Sequence, residues 1–131
     1  MKKVIFALIL VLPMICKAQA HLGESLSGLK ARYPDKYFKI EYTNDGSKYT
    51  TAEQPFGTFV YYFDKETGLT NLCIQIPRSM QALSAQIEVY NGKYVIISDK
   101  KWKAYLDGGG ILNINLIYDE DFESFIFIYT N

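Results

Sequence analysis

Residues 58–76 read "TFVYYFDKETGLTNLCIQI". Two runs rich in aromatic and β-branched residues, 58–64 and 69–76, flank the polar turn segment "KETG", the pattern of a β-hairpin. A stretch of the same build, "NINLIYDEDFESFIFIYT", occupies residues 113–130. Set 55 positions apart, Phe59, Tyr61 and Phe63 fall on Ile114, Leu116 and Tyr118, and Asp64 falls on Asp119. The acidic cluster Asp119-Glu120-Asp121-Phe122-Glu123 therefore takes the slot of the first hairpin's turn. It alternates carboxylates as the opening of a calcium loop does, but Ser124 and Thr130 stand where such a loop needs glycine and a bidentate glutamate.

Upstream of each hairpin lies a helical pattern and two more strand-like runs. Leu22, Leu26, Leu29 and Tyr33 line one face of a helix that Pro34 ends, since the residue before proline is driven out of the α region. Ser79 starts a second helix with Met80, Leu83, Ile87 and Tyr90 on its apolar stripe, and Asn91-Gly92 is expected to stop it. The remaining strands are expected at 37–43, 48–53, 93–98 and 101–106, with "NDG" and the triple glycine 108–110 as turns. Ser25 and Leu29 match Ser79 and Leu83 at a spacing of 54, and Lys48-Tyr49 matches Lys101-Trp102 at 53. The fold class expected is α+β: a tandem α-β-β-β-β repeat, about 22–76 and 78–130, with two helices packed on one face of an antiparallel sheet.

In this order of elements the chain resembles the β-lactamase-inhibitor-like fold, in which tandem helix-plus-four-strand units build a curved sheet. The resemblance lies in topology and rests on no shared residue motif. It implies binding of a partner protein on the sheet face that the helices leave open.

The first twenty residues, "MKKVIFALILVLPMICKAQA", read as a signal peptide: Lys2 and Lys3, an apolar run, then Ala18-Gln19-Ala20 as the cleavage site, with cleavage after Ala20. The apolar run falls short of the ~20 residues that span a bilayer. Ile15 before Cys16 disfavours lipoprotein anchoring there. The expected location is periplasmic or secreted, with 21–131 as a single α+β domain. Removing the signal takes three lysines and no acid, leaving eleven basic residues against fourteen acidic. That balance lacks the concentrated positive charge of a nucleic-acid binder. Cys73 is then the one remaining cysteine, so the fold relies on its apolar core rather than on a disulfide.

Catalytic constellations are sparse. The one histidine, His21, is expected to sit on a frayed terminus, which leaves no positioned base for a serine or cysteine nucleophile and no Cys/His set for zinc. The triple glycine precedes a strand and lacks the Lys-Ser/Thr of a phosphate loop. No catalytic residue, metal ligand or cofactor is assigned. If Phe59, Tyr61, Phe63, Leu72, Ile74 and Ile76 face the helices, their neighbours face outward. The partner-binding residues expected on that basis are Val60, Tyr62, Asn71, Gln75, Lys101, Lys103, Tyr105, Asn113, Asn115 and Ile117, with Cys73 and Thr58 beside them. The function expected is a non-enzymatic inhibitor-like or immunity-like module. The alternatives are an envelope accessory or small-ligand or glycan binder holding its ligand between helix and sheet, and, third, an unrecognised enzyme.

Overall fold

The computed structural model describes residues 21–106 and 109–131; the expected signal peptide (1–20) and part of the triple-glycine stretch lie outside the described residues. Helix α1 spans Leu26–Arg32 and is followed by β1 (Ile40–Tyr42), β2 (Lys48–Gln54), β3 (Gly57–Phe63) and β4 (Thr70–Pro77). Helix α2 spans Met80–Lys93 and is followed by β5 (Val95–Ser98), β6 (Lys101–Tyr105), β7 (Ile111–Asp119) and β8 (Ser124–Thr130). The eight strands form one antiparallel sheet in the order β1-β2-β3-β4-β8-β7-β6-β5. The α+β class follows directly.

Helix α2 starts after Ser79 as expected, whereas α1 starts only at Leu26, capped by Ser25, and leaves Leu22 in the turn before it. The Ser25 hydroxyl accepts from the Gly28 N–H at 3.1 Å and the Ser79 hydroxyl from the Ala82 N–H at 3.1 Å, each satisfying an otherwise unpaired first-turn amide. The end of α2 differs from expectation. The helix runs through Asn91 and Gly92 to Lys93, and Tyr94 is already extended. The reason is tertiary: Asn91 Oδ1 accepts from the buried Trp102 indole N–H at 2.9 Å, which holds Asn91 in the last turn.

The two long hairpins turn alike. Asp64 Oδ1 accepts from the N–H groups of Glu66 and Thr67, and Asp119 Oδ1 from those of Asp121 and Phe122. A short side chain that mimics the backbone two residues on is what favours Asp at this position. Each turn then ends in the left-handed region, at Gly68 (φ 71°) in one and Glu123 (φ 51°) in the other. A side chain with a Cβ is strained there. Glu123→Gly is therefore expected to stabilise the fold by about 0.5–1 kcal/mol, read as a higher urea midpoint at unchanged slope.

Beyond their turns the hairpins diverge. β7 and β8 keep one register from Asp119↔Ser124 to Asn113↔Thr130. Between β3 and β4 the register shifts after Phe63↔Thr70, so that Tyr62 pairs with Leu72 and Asn71 is left over as a bulge. From that point the β4 parity is reversed. Cys73 lies across from Tyr61 and Gln75 across from Phe59, whereas Leu72, Ile74 and Ile76 lie across from Tyr62, Val60 and Thr58.

The resulting core draws on Leu29 of α1, Leu83 and Tyr90 of α2, and one face of the sheet: Ala52, Phe59, Tyr61, Phe63, Cys73, Trp102, Ala104, Leu112, Ile114, Leu116, Phe127 and Tyr129. Aromatic edges organise its centre. Tyr90 meets Trp102 and Phe127 in edge-on contacts, with ring centroids 5.8 and 5.5 Å apart. One expected pairing of the halves fails here. Trp102 faces this core, but Tyr49 lies across from Tyr62 on the opposite face.

Candidate partner-binding face

The face of the sheet that carries none of this core is built row by row by the strand registers. One row runs Thr51, Val60, Ile74, Ile128, Asn115, Lys101; the next runs Tyr49, Tyr62, Leu72, Thr130, Asn113, Lys103. Ile117 pairs with Ile126, and Tyr105 with Ile111, beside them. Across the central strands the face is aliphatic. Toward β6 it becomes amide and lysine.

Six of the ten expected residues sit together where a partner can reach them: Lys101, Lys103, Tyr105, Asn113, Asn115 and Ile117 on β6 and β7. Tyr62 is half-buried, its ring 5.5 Å from that of Tyr49. Val60 has the expected orientation but is only 6% exposed. Asn71 is exposed as the bulge residue, its amide 3.5 Å from an Asp64 oxygen.

Gln75 is on the other face, and this corrects the sequence expectation. It is 1% exposed, and its amide donates to Gln86 Oε1 at 2.8 Å while its Oε1 accepts from the Gln86 amide and, at 2.7 Å, from the Tyr129 hydroxyl. The Gln86 amide also reaches the Tyr90 hydroxyl at 2.7 Å, which closes a polar cluster inside the apolar core. Such a group is buried at low cost only when its bonds are made. Cys73 moves to the core with it. Burial pushes its thiol well above the usual range, which disfavours the nucleophilic thiolate.

The residues that the sequence reading assigned to the core and the structure gives to this face are Leu72, Ile74 and Ile76. Ile126 and Ile128 join them from β8. A signal for the last two exists in "FIFIY" (125–129), an apolar run without alternation, which marks a strand covered by apolar neighbours on both sides.

At the hairpin end the face dips into a hollow of about 580 Å³ lined by Asp45, Tyr62, Lys65, Glu66, Asn71 and Leu72, among others. No group of three or more metal-ligating side chains occurs among the described residues. Of the carboxylates of the second turn, that of Asp119 is spent on the backbone N–H groups of Asp121 and Phe122.

His21 also departs from expectation. It is not frayed but 7% exposed, with its ring against Tyr33 and Tyr61 and its Nε2 2.8 Å from the Tyr33 hydroxyl. Its carbonyl accepts from the Thr70 hydroxyl, and Gly23 and Glu24 pair with the Thr70 backbone and side chain. Burial, with Arg32 nearby and Glu24 opposing, pushes the imidazole down to about 4. An unfolded chain takes up that proton near pH 6.5, so the unfolded state binds more protons between the two values. Stability is therefore full above pH 6.5 and falls as the pH drops toward 4. Discounted for solvent screening, the loss is about 1–2 kcal/mol. Melting curves across that range should show the slope in the native chain and a shallower one in His21→Leu.

No protein-family model, no curated protein and no solved structure matches this chain. Among the described residues no helix is long and apolar enough to cross a membrane.

Proposed function

We propose that this is a small exported, non-enzymatic binding module that holds a partner protein on the face described above. The observation that carries the reading is the ladder Val60–Ile74–Ile128 across the central strands, bordered by Asn113, Asn115, Lys101 and Lys103. An apolar centre with a rim of amides and charges is the usual anatomy of a protein interface. In this reading both helices cover one face and the chain is a tandem repeat of the β-lactamase-inhibitor-like kind.

Three features support the duplication. The serine caps and Asp turns recur at spacings of 54 and 55 residues, as do the left-handed positions Gly68 and Glu123. The Asn71 bulge accounts for the change from 55 to 54. At the junction Ile74 pairs with Ile128, residues themselves 54 apart, as two equivalent positions on a local two-fold axis would.

The test compares the purified native chain with Ile117→Arg and Asn115→Arg, both on the accessible part of the face. After cross-linking in extracts of the producing cell's envelope, a partner retained by the native chain and lost from both variants is the expected result. A partner held equally by the variants, or none above the background of an unrelated exported protein, would overturn the reading. Export is checked separately: N-terminal sequencing of the accumulated protein should begin at His21.

A second reading, a small polyhydroxylated ligand, draws on the hollow beside Tyr62, where an aromatic ring, an amide and carboxylates converge. A thermal shift with oligosaccharides that Tyr62→Ala removes would favour it over a protein partner.

A further inference from the structure

Strand β4 carries apolar residues at both parities, Leu72, Ile74 and Ile76 on one side and the core residue Cys73 on the other. A strand whose pattern does not single out one face has a weakly specified register. The bulge supplies slack, because Asn71 stands outside the ladder, three residues after an open turn glycine, Gly68. If Asn71 entered the ladder across from Tyr62, every later residue of β4 would move by one place. Leu72 would then lie across from Tyr61 and Tyr129, and Ile74 across from Phe59 and Phe127. All four of these partners are core residues, so the second register also joins apolar to apolar. It gives up the bond from the Arg78 N–H to the Phe56 carbonyl and adds one residue to the link before α2.

What separates the two registers is Gln75. In the present one it is 1% exposed and bonded to Gln86 and to the Tyr129 hydroxyl, which lies 2.5 Å from that of Tyr90. In the other it would lie across from Thr58 on the opposite face, and Cys73 would take the place of Ile74 between Val60 and Ile128. Leaving the cluster strips Gln86 and Tyr129 of a partner inside the core, where an unmade bond is costly. A fully satisfied polar network thereby specifies one arrangement among apolar alternatives.

We propose that β4 can pair in two registers one residue apart, and that the Gln75–Gln86–Tyr129 cluster selects the one that sets Ile74 on the candidate partner-binding face. Two packings of one sequence then differ by a small polar cluster, and Asn71 is the hinge between them. The consequence for a partner rests on the function proposed above: in the second register the Val60–Ile74–Ile128 ladder is gone. The register itself is tested without a partner, so the two readings can fail separately.

Val60→Cys is the reporter. In the present register positions 60 and 73 point to opposite faces and cannot be bridged, whereas in the second they are direct cross-strand neighbours. Gln75→Lys forces the choice, since an unpaired ammonium is not tolerated in the core but is at home across from Thr58. With oxidised glutathione, Val60→Cys alone should form no 60–73 disulfide by peptide mass mapping, and Val60→Cys/Gln75→Lys should form it while folded. Val60→Cys/Gln86→Leu/Tyr129→Phe, which leaves Gln75 without its partners, should form it as well. Deleting Asn71 removes the slack. That deletion alone should leave the chain folded by circular dichroism, and combined with Gln75→Lys it should leave it unfolded. A Gln75→Lys chain as unfolded as its Asn71-deleted counterpart, a folded one with no 60–73 link, or equal linking in Val60→Cys alone would each overturn the proposal.

Discussion

Trp102→Ala is expected to lower the free energy of unfolding by about 3–5 kcal/mol, the usual cost of emptying a large aromatic site in a packed core. The indole is almost wholly enclosed, with Tyr90 edge-on at 5.8 Å and Phe127 at 6.2 Å. It is also the link between β6 and the last turn of α2, through its N–H to Asn91. Removing it opens a cavity and frees the helix end together. Against the total of ~5–15 kcal/mol that holds a small domain folded, the variant should melt far below the native chain. Trp102→Phe keeps most of the volume and loses the hydrogen bond. It should fall between the two, and urea unfolding followed by circular dichroism would rank all three. A loss below about 1 kcal/mol for the alanine variant would mean that Trp102 is not packed in this core.

Gly57→Ala should cost about 2–4 kcal/mol, although the position is on a strand and adds only a methyl group. Gly57 opens β3 directly after the Pro55-Phe56 turn with φ 152°, a region side chains rarely occupy. A Cβ there would stand 2.1 Å from the carbonyl oxygen of Ile76 on β4. That oxygen is backbone in a central strand, so it cannot swing away as a side chain does. The β3–β4 ladder would have to open at the Gly57↔Pro77 end, together with the bond from the Arg78 N–H to the Phe56 carbonyl. Gly46 is the matched control. It too has a positive φ, but nothing lies near its would-be Cβ, so Gly46→Ala carries the backbone strain without the clash.

The two substitutions mark what the sequence conveys and what it leaves out. Trp102 could be assigned to the core from its strand alone, because Trp102 and Ala104 alternate with Lys101, Lys103 and Tyr105. Gly57 could be placed at a turn, but its closeness to Ile76 could not be read, since the two residues meet only when β3 pairs with β4. The candidate face divides in the same way. β6, and β7 from Leu112 to Leu116, alternate between polar and apolar, and their expected site residues lie where the pattern puts them. β4 carries apolar residues at both parities, so its pattern fits either face.

His21 shows the same limit for a terminus. A residue just past an expected cleavage site reads as loose from the sequence, because nothing local holds it. Thr70, Tyr33 and Tyr61 hold it, and they come from β4, the residue just after α1, and β3.

By itself the sequence determined the element order, the Ser79 cap, the Asp turns and eight strands within a few residues of their ends, because these depend on neighbours three to five positions away. The tertiary structure alone decided which side of β4 joins the core. One extra residue at Asn71 exchanges Leu72, Ile74 and Ile76 for Cys73 and Gln75. A strand's side chains alternate with period two, so a shift of one residue moves every one of them to the other face. Here the glutamine lies inside because Gln86 and Tyr129 satisfy it there, and the isoleucines lie outside on the surface proposed to meet a partner.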